Sequence, residues 1–298
     1  IYINYCGDYM YTLDDEYNYI DNIKKELKFL TNSKVRLKVL ICLYDSELTV
    51  KELHEKTNLN YSSITNNLNK LEEFEYINKN NEKYTLTTST KMKLVNLLYF
   101  NNNLDFIYEY VDFINNHQVE NDNIDSLATL PYVNIDNSQL IQADNINPFL
   151  ATETIEQTMM REGLVKAICI YLHPNCSDMI AFMMNQKSEF EVIVPLDFAQ
   201  YIIQHANNYK TDKPLENICF NIKPLRKIPL NIALVVSENE IVVGLVKKDS
   251  GLFNKNCVLR SEDENARRWG LRVFREYESL KPGYIDIREL ISKNNNLE

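Results

Sequence analysis

Apolar positions change their period along the chain, and three stretches separate on that basis. Residues 14–90 read as helical and end in a short hairpin, residues 91–124 hold one further helix, and over residues 125–290 strand-like runs alternate with helical ones. Within residues 33–44, Leu37, Leu40, Ile41 and Tyr44 form a helical stripe. After the break Asp45-Ser46-Glu47, Thr49 with Glu52 three residues on is a capping box, which starts a second helix with Leu53 facing inward. Only Asn58-Leu59-Asn60 separates it from a third. Asn60 is placed to cap that third helix, and Leu59 with Ile64 fits the hydrophobic staple. Two helices joined so tightly, the second one capped, predict a helix-turn-helix.

Ile64, Leu68 and Leu71 share one side of the third helix. At roughly 100° per residue, the opposite side centres on Ser62, Asn66 and Asn69, flanked by Ser63, Thr65 and Lys70, with Tyr61 at the start. That side is polar, mostly uncharged, and able both to donate and to accept. Such groups suit base edges and phosphates in a major groove. Residues 75–87 follow with two β-prone runs around Ile77 and Leu86, a turn at Asn80-Asn81, and Lys79 and Lys83 on either side of it. A basic hairpin directly after the helix reads as a wing that clamps a phosphate backbone. The rival reading is a winged helix that serves protein contacts, or a plain helical domain.

From residue 90 to 117, Leu94, Leu97, Leu104, Ile107, Val111 and Ile114 recur near heptad spacing, interrupted around Asn101-Asn102-Asn103. This helix either pairs with its twin in a homodimer or packs on its own C-terminal domain. Beyond it, strands are expected at 166–171, 191–194, 218–222, 232–236, 241–247 and 258–261. Helices are expected at 152–162, 177–186, 198–207 and 263–277. The soft boundary is expected at 115–125. The fold class is α+β and α/β: an N-terminal winged helix-turn-helix, a connecting helix and a C-terminal α/β domain.

Composition narrows the function. The 298 residues carry a net charge of −10, which argues against a protein that coats nucleic acid along its length. Residues 33–93 hold ten Lys/Arg against eight Asp/Glu, a net +2 over the expected wing and helices, while the remainder of the chain is −12. That sign suits DNA, and so small an excess suggests useful affinity only as a dimer. No apolar run approaches membrane-spanning length, and the first residues show no signal-peptide pattern. Six scattered cysteines without a C-x-x-C pair read as reduced thiols of a cytoplasmic protein. No nucleophile elbow, Walker loop or metal-ligand spacing is present, so neither catalytic residues, nor a metal, nor a cofactor is expected.

The C-terminal half carries a family likeness. In IALVVSENEIVVGLVKKDSGLF (232–253) and LRSEDENARRWGLRVFREY (259–277), the residues Ser261, Ala266, Trp269, Gly270, Phe274 and Tyr277 resemble the end of an archaeal winged-helix regulator family, the methanogenesis regulatory protein family. Leu130-Pro131, Tyr171-Leu172-His173-Pro174 and residues 191–194 look like its pattern too, so the likeness covers about residues 30 to 285. One departure is Asn254, where an acidic residue is expected. The resemblance implies a transcription regulator with a sensor domain similar to phospholipase-D-like effector domains. Phospholipase-D chemistry needs His-x-Lys. Here that spacing occurs only at His54-Glu55-Lys56, with Tyr61 where an Asp belongs, so a degenerate enzyme is the second rival.

A few residues have two readings. Tyr171 and His173 follow an expected strand, where α/β folds place ligands, and His173 either holds a ligand carboxylate or makes a structural hydrogen bond. Trp269 is either a core residue or a stacking platform. The arginines Arg267, Arg268, Arg272 and Arg275 read as a solvated face paired with Glu264 and Glu276. Cys169 and Cys176 either pack or sense redox state.

Overall fold

In the computed structural model, helices near the N-terminus begin at side chains that satisfy their first free amides. The described residues are 13–119, 124, 130, 138–173, 175–185, 189–205, 209, 211–212, 214–226, 230–289 and 292. After α1 (Leu13–Thr31), Ser33 caps α2 (Lys34–Asp45) through a 3.2 Å bond from the Arg36 amide. The two-residue strand β1 (Leu48–Thr49) leads into α3 (Val50–Thr57). There Glu52 Oε2 accepts the Thr49 amide at 2.7 Å, and the Thr49 hydroxyl accepts the Glu52 amide at 3.3 Å. Asn58 takes a left-handed φ of 54° and ends α3. Asn60 Oδ1 then accepts the Ser63 amide at 2.8 Å and opens α4 (Tyr61–Glu73). The chain returns through β2 (Ile77–Asn80) and β3 (Lys83–Leu86), in a small sheet ordered β1-β3-β2.

Leu40, Leu43, Leu53, Ile64, Leu68 and Leu71 form the core of this unit. The expected α2 stripe is rotated: Val39, Leu40 and Leu43 face inward, whereas Ile41 and Tyr44 are exposed. Residues 39–44 are apolar without a break, so periodicity alone cannot choose a face; packing on α3 and α4 does. The hairpin turn also lies one residue later than expected. Asn80 pairs with Lys83, which leaves Asn81-Glu82 as the loop, and Asn81 takes the left-handed φ of 57° that asparagine tolerates.

The chain divides into two compact units, residues 1–99 and 100–298, and the division falls inside α5 (Thr88–Glu109). The expected boundary at 115–125 lies partly outside the described residues. Helix α5 runs unbroken through Asn101-Asn102-Asn103 and stops at Tyr110, before the short α6 (Val111–Asn116). Phe106, Tyr110 and Phe113 are buried here, whereas Val111 is exposed and Leu104, Ile107 and Ile114 are half-buried. Leu94 and Leu97 of the expected aliphatic stripe do pack on the first unit's core, but beyond Asn103 an aromatic stripe takes over, whose rings bury more area and pack on the core of their own unit.

An eight-stranded sheet forms the second unit among the described residues. Its strands are β4 (Ser138–Gln142), β5 (Leu164–Ile168), β6 (Glu189–Pro195), β7 (Cys219–Leu225), β8 (Ile232–Val236), β9 (Ile241–Leu245), β10 (Cys257–Ser261) and β11 (Ile285–Asp286), ordered β11-β7-β6-β5-β8-β9-β10-β4. β5, β6 and β7 run parallel, joined by α8 (Cys176–Asn185) and α9 (Leu196–Gln204). The other pairings are antiparallel, so the alternating α/β pattern holds for only part of the sheet. Residues 186, 206 and 207 of the expected helices, with Cys6, Pro131 and Pro174, lie outside the described residues.

Alternate residues feed two cores on opposite faces. Val165, Val192 and Val235 meet α7 (Leu150–Met159), α8 and α9. Ile168, Ile193, Leu234 and Val243 meet α10 (Glu264–Ser279) and the aromatic stripe. Asp263 caps α10, and Ala266, Trp269, Gly270, Val273, Phe274 and Tyr277 are buried along one side of it, so Trp269 is a core residue. On the outer side Arg268 pairs with Glu264 at 2.5 Å. Among the described residues, no helix is long and apolar enough to cross a membrane.

Candidate functional site

The capped start of α4 sets which of its sides is bare. Ile64, Leu68 and Leu71 anchor it fully buried, and the opposite side leaves Tyr61, Ser62, Thr65, Asn66, Asn69 and Lys70 exposed, with Ser63 half-buried. Asn67 belongs to the scaffold: its Nδ2 donates to the Ser63 carbonyl at 2.9 Å, and its Oδ1 accepts the Ser33 hydroxyl at 3.3 Å. Sequence reasoning missed what holds Tyr61. Its ring stacks on His54 with centroids 4.3 Å apart, and His54 Nδ1 lies 2.6 Å from the Leu59 carbonyl oxygen. The histidine of the His-x-Lys spacing is thus engaged in the turn between α3 and α4.

Lys79 and Lys83 are exposed near the hairpin tip. Lys79 sits opposite Tyr84 and Lys83 opposite Asn80. Neighbouring cross-strand pairs point to opposite faces, so the two lysines leave the hairpin on different sides and do not form one clamp. A hydrogen bond that its ammonium donates to the Tyr84 hydroxyl raises the Lys79 pKa, and the ammonium lies 5.4 Å from the centre of the Tyr84 ring. The tip also carries Glu82.

The second unit holds an apolar cavity of about 70 Å³ beyond the C-terminal end of β5. Met159, Met179, Met183, Phe190, Val192 and Phe220 supply walls, and both sequence candidates, Tyr171 and His173, line it. Glu156 lines it as well, which sequence reasoning missed. His173 Nε2 lies 3.3 Å from Glu156 Oε2, and His173 Nδ1 accepts the Asn175 amide at 3.1 Å. A carboxylate of the chain itself, that of Glu156, thus stands beside His173 Nε2. Cys169 and Cys176 also line the cavity, and burial pushes their thiols up to about 12 and about 11. That direction disfavours the thiolate on which thiol reactivity depends.

One face of the Tyr171 ring is covered by Phe253, with centroids 4.5 Å apart and planes within 8° of parallel. The next residue, Asn254, is the departure noted in the family-like turn. It is buried, and its Nδ2 meets His117 Nε2 at 2.9 Å, while His117 Nδ1 lies 2.5 Å from the Phe113 carbonyl. Burial pulls the His117 pKa below the ordinary imidazole value, so its Nε2 is an acceptor. An amide supplies the donor that an ionised aspartate lacks.

Comparisons with known proteins match two segments of the chain. The profile of Methanogenesis regulatory protein FilR1, N-terminal domain, matches residues 24–104, and the profile of its middle domain matches residues 148–280. No curated protein matches the chain. Among solved structures, the archaeal chromatin protein TrmBL2, described as showing a novel mode of DNA binding, is 11% identical with a TM-score of 0.36, over 89% of this chain and 99% of that one. An IclR family transcriptional regulator from Brucella abortus is 12% identical with a TM-score of 0.23, over 87% and 96%. Scores this low do not establish a shared fold. The two profile matches together cover well over half of the chain, and the chain belongs to the family of the methanogenesis regulatory protein FilR1.

Proposed function

We propose that this member of a transcription regulator family is a sequence-specific, homodimeric, cytoplasmic reader of double-stranded DNA whose second unit senses a small molecule. Residues 14–90 act as a winged helix-turn-helix, 91–124 as a connecting and dimerising helix, and 125–290 as the sensor. The observation that carries the reading is the bare polar side of α4, where Ser62, Asn66 and Asn69 are exposed opposite a fully buried Ile64, Leu68 and Leu71. Asparagine amides match the donor and acceptor pair that adenine shows in the major groove. Lys70 supplies charge beside them, and Lys79 and Lys83 reach for backbone from the two faces of the hairpin. Dimerisation is favoured by the low count of cations per chain and by the exposed Met92, Leu98 and Tyr99 of α5. The likeness of the second unit to phospholipase-D-like effector domains is a proposal about architecture and assigns no reaction.

The test is selection of bound sequences from random DNA by the intact chain. A palindromic motif is expected; binding without any enriched motif overturns the reading. On the selected site, Asn66→Ala and Asn69→Ala should each weaken binding about ten-fold, the order of one lost bidentate base contact. Binding to unrelated DNA should stay unchanged. Equal losses on both DNAs exclude base readout.

A further inference from the structure

The cavity of the second unit carries a statement about ligand chemistry. Its walls are almost wholly apolar, and three methionines let them adapt to a guest. At roughly 10–15 Å³ for each water-sized centre, about 70 Å³ admits about five or six non-hydrogen atoms. The polar groups that line it are unequal in charge. His173 Nδ1 accepts the Asn175 amide, so the ring proton sits on Nε2 and points at Glu156. The His173 carbonyl also accepts the Cys176 amide at 3.0 Å, which fixes the loop that carries the imidazole. An imidazole in this tautomer is uncharged, and burial keeps the Tyr171, Cys169 and Cys176 protons in place. Among the described residues that line the cavity, the one formal charge is the Glu156 carboxylate, whose Oε2 faces His173.

We propose that this cavity binds a compact aliphatic amine, its hydrocarbon body among the methionines and its ammonium on Glu156. An anionic guest meets a carboxylate in a site of low polarity, where like charges repel strongly. A neutral alcohol gains one hydrogen bond but no ion pair. The ammonium gains both, and the charge on Glu156 offsets its loss of hydration. This proposal rests on the sensor role given to the second unit, and it fails or stands separately from DNA reading.

The experiment uses the intact chain with n-alkylamines from propyl to octyl, together with the alcohols and carboxylates of the same lengths. Binding is followed by calorimetry and by the shift in thermal midpoint. The amines should bind at least ten-fold more tightly than the alcohols, with an optimum near butyl and pentyl and a fall at octyl. The carboxylates should not bind. Glu156→Gln should remove the preference for amines over alcohols. Equal affinity for amines and alcohols, no binding by any amine, or amine binding untouched by Glu156→Gln each overturn the proposal. The contrast between guests needs only the natural chain, so it decides the matter even if the variant fails to fold. DNA selection without any amine, run in parallel, keeps the two readings apart: a motif without amine binding sinks only this inference, and amine binding without a motif sinks only the regulator.

Discussion

Glu240 shows how a single side chain can tie distant segments together. It is 2% exposed and accepts from the Thr158 hydroxyl at 2.8 Å, from Arg161 Nε at 2.6 Å and from Arg260 Nε at 2.6 Å. Burial works to raise its pKa; the Thr158 hydroxyl and the Arg260 guanidinium overcome that and hold it below the ordinary 4.5. A carboxylate lowered in the folded state adds stability above its unfolded pKa and loses it as pH falls through the folded one. Glu240→Gln should therefore cost about 2 kcal/mol at neutral pH, discounted for the partial exposure of both arginines. The gap between variant and natural chain should narrow as pH falls below the ordinary 4.5 and through the lowered folded value, read by urea unfolding across that range. A gap that persists in acid would show that ionisation of Glu240 is not what stabilises the site. Residues of this kind are hard to read in a sequence. Thr49, Glu52 and Asn60 are legible because a cap is a rule spanning three residues. Glu240 and Glu156 gain their partners only through folding, and no local signal marks either.

At the scale of elements, α10 lies against the sheet through Gly270. A Cβ built there would meet Ile241 Cδ1 at 2.4 Å and Val236 Cγ2 at 2.8 Å. Helix propensity alone favours alanine over glycine by about 1 kcal/mol. The overlap should outweigh that, so Gly270→Ala should destabilise the chain by about 1–3 kcal/mol in urea unfolding; stabilisation would show that the helix can lift off at no cost. The helices and the inner strands were legible because their apolar runs are long or strongly periodic. The edge strands were not. Ser138–Gln142 has two apolar residues in five, and Ile285–Asp286 is too short to show a period. The aromatic stripe of α5 and α6 was hidden by a competing aliphatic spacing in the same residues. Only burial shows that Phe106, Tyr110 and Phe113 win.

For the whole molecule, charge sets the conditions under which the proposed reader would hold DNA. The chain is −10 overall, and Lys70, Lys79 and Lys83 are the cations assigned to phosphates. Six such contacts in a dimer give a logarithmic salt slope of about −5, so affinity should fall about a thousand-fold between 50 and 200 mM salt. A slope near zero, measured by titration at four salt concentrations, would favour the protein-contact reading of the winged helix. The order of the modules was legible from the change in apolar period, since a capped helix pair and an alternating strand pattern rarely share a segment. The place where the chain divides was not, because Tyr99 and Phe100 sit in one continuous helix.

Gly244 has no side chain to hold the Phe253 ring off β9: a Cβ there would lie 2.5 Å from it. The ring is pinned between that backbone and Tyr171, and the amide of the following residue is fastened to His117 at the end of α6. A guest that pushes Tyr171 outward has no slack to take up. The displacement must break the stack, or it must drag the histidine and the last turn of its helix along. A guest large enough to move Tyr171 is therefore felt either in that stack or at the helix end.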